Sequence, residues 1–179
     1  MDIKALAVFC GSKNGTKKIY RQHAAELGTW MGLKGITLIY GGGNKGIMGE
    51  LSNAAMANNG FVVGVIPKLL LEWEHANDKI SELIIVDDMH ARKKIIYEKC
   101  DAALILSGGY GTLDELFEML TWNQLAIHNK KIFIINSGGF YDHLLKHMQH
   151  LENEEFLYEP MSERILFFND IESFTDHLN

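Results

Sequence analysis

The chain has 179 residues, 47% hydrophobic and 22% charged, the balance of one folded domain of ordinary size rather than a disordered segment. Its net charge of -6 lacks the basic face that broad nucleic-acid binding needs, so nucleic acid is not an expected partner. No apolar run approaches the roughly 18 residues of a membrane span, and two cysteines without a CxxC pair exclude a disulfide scaffold and a thiolate metal centre of the usual type.

Cys10 and Cys100 suit a reducing compartment. The N-terminus, Met1-Asp2-Ile3-Lys4, leads into an apolar stretch too short and too acidic for a signal peptide. A cytoplasmic location is therefore expected.

Seven short apolar, β-rich runs recur in chain order: Leu6–Cys10, Ile36–Tyr40, Phe61–Ile66, Leu83–Val86, Ala102–Leu106, Ile132–Asn136 and Ile165–Phe168. Most lack polar alternation, as parallel strands covered on both faces do. Helical stripes lie between them. Tyr20, Ala24, Leu27 and Met31 form the first, and Met48, Leu51 and Ala55 the second. Leu113, Leu116, Phe117, Leu120 and Ile127 form a third, and Tyr141, Leu144, Leu145 and Met148 a fourth. The alternation predicts a single α/β domain over residues 1–179. It is a Rossmann-like open parallel sheet of about seven strands, with helices on both faces.

In such sheets ligands bind beyond the carboxyl ends of the strands, near the reversal in strand order. The segments after the strands are therefore the ones to read. The first strand is followed by Cys10-Gly11-Ser12-Lys13-Asn14-Gly15, and the fifth by Ser107-Gly108-Gly109-Tyr110-Gly111-Thr112-Leu113-Asp114-Glu115. The glycines and Thr112 of the later segment suit a phosphate at the start of a helix. Thr112-x-x-Glu115 also reads as a capping box, with Glu115 in the first helical turn. Capping and chemistry compete for that carboxylate.

Gly41-x-Gly43-x-x-Gly46 matches the dinucleotide fingerprint in form. About 20 residues on, where an acid for the ribose should stand, the chain reads Val65-Ile66-Pro67-Lys68. Tight packing and a ligand role are equally good readings of this turn. Arg92 and Lys93 open the helix after the fourth strand, where cations oppose the helix dipole. Their placement predicts a negative partner, either a ligand or a neighbouring carboxylate. Asp101 stands at the opposite end of the sheet and reads as structural. His143, His147 and His150 share a helix face turned away from the apolar stripe, which reads as a solvated face rather than a metal site.

Four segments together resemble a known family. They are Gly41-Gly42-Gly43-x-x-Gly46-x-Met48-Gly49, Met89-His90-x-Arg92-Lys93, Gly108-Gly109-Tyr110-Gly111-Thr112-Leu113-x-Glu115 and Thr121-Trp122-x-Gln124-Leu125. In this order they are similar to the LONELY GUY (LOG) family of cytokinin riboside 5′-monophosphate phosphoribohydrolases. The likeness runs from about Val8 to about Phe156. It departs at Ser107, where the family usually has Pro, and at Ala126 and Lys131, where it commonly has Gly and Pro.

The resemblance implies a hydrolase that cleaves the N-glycosidic bond of an adenine nucleoside 5′-monophosphate, with no cofactor and no metal. It places the catalytic pair on Arg92 and Glu115. It places substrate contacts on Glu74, Lys93, Gly109, Tyr110, Gly111, Thr112, Leu113, Asp114 and Thr121, with Ser12 and Gly43 as further candidates. It also implies a homodimer. Many relatives carry the label lysine decarboxylase, but nothing in this chain marks a pyridoxal-phosphate lysine. A non-catalytic nucleotide carrier and an NAD-dependent oxidoreductase are the alternatives.

Overall fold

The computed structural model describes residues 3–71, 73 and 75–178. These residues form seven strands: β1 (Ala5–Phe9), β2 (Thr37–Tyr40), β3 (Val62–Pro67), β4 (Glu82–Val86), β5 (Ala102–Ile105), β6 (Ile132–Ile135) and β7 (Ile165–Phe168). All pair in parallel within one sheet, in the order β4-β3-β2-β1-β5-β6-β7. The expected runs and the observed strands agree to within a residue or two. Phe61 falls outside β3 and is 53% exposed.

Among the described residues six α-helices connect and flank the strands: α1 (Lys18–Lys34), α2 (Gly46–Ala57), α3 (Met89–Lys99), α4 (Tyr110–Gln124), α5 (Asp142–Asn153) and α6 (Ile171–Leu178). Successive strand residues point to opposite faces, and each face has its own core. Leu6 and Val8 of β1 join Leu27 of α1, Leu51 of α2 and Phe174 of α6. Ala7 and Phe9 join Ile96 of α3, Leu116 of α4 and Met148 of α5. A sheet sandwiched in this way needs apolar residues at almost every strand position, hence the unalternating runs. β4 lies at the edge and is covered less, so Ile85 is half exposed.

The first two helical stripes are buried as expected. The third is shorter than expected: α4 ends at Gln124, and Ile127 lies beyond it, 61% exposed. Leu125 and Ala126 carry the chain out of the helix, with Ala126 at a φ of 55°. His143, His147 and His150 face solvent on α5. Asp101 is structural: its carboxylate accepts the backbone N–H groups of Lys4 and Ala5, both at 2.8 Å, at the amino end of the sheet. Among the described residues no helix is long and apolar enough to cross a membrane.

Candidate active site

From β1 the chain winds outward to β2, β3 and β4, then returns to β5 on the other side of β1. The connections leaving β1 and β5 therefore diverge and leave a crevice at their carboxyl ends. A cleft of about 600 Å³ lies there. Its floor is held by backbone bonds, from Gly11 N–H to the Ser107 carbonyl at 3.1 Å and from Met48 N–H to the Gly11 carbonyl at 3.3 Å. The Tyr141 hydroxyl donates to the Leu106 carbonyl at 2.7 Å and fixes the end of β5 from below.

The loop from Ser107 to Thr112 forms one wall. Gly109 caps α4 through its backbone alone, with no side-chain bond, and Tyr110 is the first helical residue. This corrects the capping-box expectation. Thr112 is the third residue of the helix rather than its cap, and Glu115 is the sixth, in the second turn. The helix dipole acts mainly within the first turn, so it bears little on Glu115. The backbone N–H groups at the start of α4 have no intrahelical acceptor, and Tyr110, Gly111 and Thr112 line the cleft with them. Nothing stands within 4 Å of the position a Cβ would take at Gly109 or Gly111. This wall is open to an anion.

Arg92 reaches the same cleft from α3. Asp88 caps that helix by accepting the Ala91 N–H at 2.8 Å, which offsets the cost of two cations so near a helix start. Arg92 is 5% exposed and its Nη2 donates to the Gly41 carbonyl at 3.1 Å. A Cβ on residue 41 would sit 2.0 Å from that nitrogen. Gly41 thus leaves the room that the Arg92 side chain occupies in this position. Gly46 has a φ of +59°, and a Cβ there would lie 2.4 Å from the Lys13 backbone nitrogen. The fingerprint-like turn thus packs against Arg92 and against the β1 loop, and of its neighbourhood only Ile47 and Met48 line the cleft. Packing, rather than a dinucleotide, accounts for these glycines.

Lys93 has the neighbouring carboxylates that its position predicted. Its ammonium lies 2.7 Å from Asp114 and 3.0 Å from Glu118. Burial alone would lower its pKa, but the hydrogen bonds to the two carboxylates outweigh it and hold the value above normal. Lys93 and Asp114 thus join α3 to α4 and do not line the cleft. Leu113 packs on the α3 side of the sheet.

Ser12, Gly109, Tyr110, Gly111, Thr112, Arg92 and Glu115 come together around the cleft. Gly43 instead forms an isolated bridge with Ala76. Thr121 is exposed, donates to the Phe117 carbonyl at 2.7 Å, and lines a separate groove with Phe117, Leu120 and Gln124. Glu74 lies outside the described residues. Sequence reasoning missed Lys13, Tyr20, Met48, Leu70, Met89 and Phe140 as lining residues. Lys13 stands in the segment after β1, so the rule that pointed to Ser12 could have found it. Tyr20 and Phe140 meet edge to face with ring centroids 5.4 Å apart, a long-range contact with no local signal.

Comparison with known proteins decides the family. The family model described as possible lysine decarboxylase matches residues 48–178. A probable cytokinin riboside 5′-monophosphate phosphoribohydrolase of Arabidopsis thaliana, LOG6, is 43% identical over 154 residues, 86% of this chain and 77% of that protein. The chain belongs to the LOG family. A second Arabidopsis relative, cytokinin riboside 5′-monophosphate phosphoribohydrolase LOG7, is 42% identical over 163 residues, 91% of this chain and 75% of that protein. The LOG fold is also that of more distant solved structures. The Moco carrier protein of Chlamydomonas reinhardtii superposes with a TM-score of 0.76 at 19% identity, over 99% of this chain and 96% of that one. The molybdenum cofactor binding protein of Rippkaea orientalis gives 0.70 at 22%, over 100% of this chain and 99% of that one. At such identities these two speak for the fold alone.

Proposed function

We propose that this LOG-family chain hydrolyses the N-glycosidic bond of adenine nucleoside 5′-monophosphates, AMP or its N6-prenylated forms, to the free base and ribose 5-phosphate. The observation that carries this reading is the meeting of Arg92 and Glu115 in one cleft. They come from different helices, are 5% and 8% exposed, and face an open loop at a helix start.

In the proposed reaction the base leaves as positive charge grows on the ribose ring. The Glu115 carboxylate stabilises that charge and takes the proton of the attacking water. The Arg92 fork, steadied by the Gly41 carbonyl, orients the ribose or phosphate oxygens. The backbone N–H groups at the start of α4 hold the 5′-phosphate, and Lys13, which also lines the cleft, adds charge. Water adds across the bond: its hydroxyl goes to the ribose carbon and its proton to the base. Product analysis on a panel of nucleotides tests the reading. Free adenine or its N6-substituted form must appear together with ribose 5-phosphate in equal amounts. Tight nucleotide binding with no product would favour a carrier.

The same reading includes a homodimer. Phe117, Leu125, Ile127 and Phe156 leave exposed apolar surface in and beyond α4 and α5, and Thr121 lies on that side rather than in its own cleft. A second copy docked there covers this surface and carries Thr121 toward the partner's site. Light scattering at micromolar concentration should give twice the 20.2 kDa of the chain. A mass near 20.2 kDa would refute the dimer. A cytoplasmic location completes the reading, supported by two buried cysteines held as thiols.

A further inference from the structure

We infer that Tyr97 and Glu118 are positioning residues that fix Glu115 against Arg92. The inference rests on the hydrolase reading above. Tyr97 lies on α3 and is 3% exposed. Its hydroxyl donates to Glu118 Oε2 at 2.9 Å and stands 3.5 Å from the backbone carbonyl oxygen of Glu115. Glu118 in turn receives Lys93 at 3.0 Å. Each of these links crosses from α3 to α4.

The spacing explains why the chain bears on the site. Lys93 and Tyr97 are four apart and share one side of α3, next to Arg92. Glu115 and Glu118 are three apart and share one side of α4. A phenol, a carboxylate and an ammonium thus bind the two helices one turn from the reacting pair. Burial pushes the Tyr97 phenol up, with further contributions from the Glu118 hydrogen bond and from the charges of Glu118, Glu115 and Asp114. The group remains a proton donor throughout the working pH range. The Tyr97 ring is held independently, edge to face with Trp122 at 4.6 Å and with Phe9 at 6.1 Å.

Neither Tyr97 nor Glu118 lines the cleft, so in this chain they act through Arg92 and Glu115 rather than on the nucleotide. Loss of the link leaves the phosphate wall in place and lets Glu115 shift against the ribose. A displacement of about 1 Å at a reacting group costs up to about 100-fold in rate. Turnover should therefore fall while ground-state binding holds.

Tyr97→Phe tests this, because it removes the hydroxyl and keeps the packed ring. On the nucleotide that the wild type hydrolyses best, we expect kcat to fall about 10- to 100-fold, with KM within about threefold of wild type. Glu118→Gln keeps an oxygen acceptor for the Tyr97 hydroxyl and should lose less. The double variant should be little worse than Tyr97→Phe, since both changes act on one chain. Wild-type kcat in a folded Tyr97→Phe protein, with only a lower melting temperature, would show a merely structural role and overturn the inference. If Tyr97→Phe does not fold, Glu118→Ala, which removes the acceptor altogether, decides: a lowered kcat at constant KM supports the inference, and unchanged kcat overturns it. A wild type that releases no base from any nucleotide overturns the hydrolase reading and this inference together.

Discussion

Glu115→Gln should lower kcat by about 100- to 10,000-fold, the range by which a positioned acid or base accelerates a reaction, while the protein stays folded. Gln keeps the size of Glu and loses its charge. Glu115 is 8% exposed and lines the cleft, where a charge facing a cationic ribose acts with little screening from water. The fold should not depend on it through helix capping. α4 starts at Tyr110 with the Gly109 backbone as its cap, and Glu115 stands a turn further on. Circular dichroism and a melting curve should therefore change little while base release collapses. Near wild-type base release by the folded variant would remove Glu115 from the chemistry.

Arg92→Lys should lower kcat/KM by about 10- to 150-fold. That figure corresponds to losing one hydrogen bond to a charged group, roughly 1.5–3 kcal/mol. Arg92 uses one arm of its fork on the Gly41 carbonyl at 3.1 Å, which sets the plane of the guanidinium in the cleft. Lysine keeps the positive charge but has a single ammonium and no fork. It cannot hold Gly41 and present a planar pair of donors to the substrate at the same time. Steady-state kinetics on AMP would show the loss, and full activity in Arg92→Lys would mean that charge alone is what position 92 supplies.

The fold was legible because a doubly covered parallel sheet writes itself into the sequence. Runs such as Ala102–Leu106 have no polar residue, and the helical stripes of α1 and α2 are buried as read. The location of the site was legible by the same logic, since Ser12, Gly109, Arg92 and Glu115 all follow strands and all line one cleft. Helix starts were less legible. Thr112-x-x-Glu115 has the form of a capping box, but the glycine at position 109 can turn the chain without a side-chain cap, so the helix begins three residues earlier than the box requires. Contacts between distant segments left no local mark. Nothing near Tyr97 in the sequence announces Glu118, and nothing near Gly41 announces Arg92. The opposed cations Arg92 and Lys93 did predict negative partners, and Lys93 has them in Asp114 and Glu118.

The central claim is that the cleft is built for a nucleotide with a 5′-phosphate. The start of α4 supplies backbone donors, and Arg92 and Lys13 supply charge at the cleft. Adenosine offers the same base and ribose as AMP and leaves those donors without their anion. Charge-assisted hydrogen bonds contribute roughly 1.5–3 kcal/mol each, so losing even one should cost about 10- to 150-fold in kcat/KM, and losing several should cost more. The decisive measurement is base release from AMP and from adenosine by the same protein in the same buffer. The account predicts AMP to be preferred by at least about tenfold, with ribose 5-phosphate as the second product. Equal kcat/KM for the two substrates would contradict it and point to a nucleoside hydrolase instead.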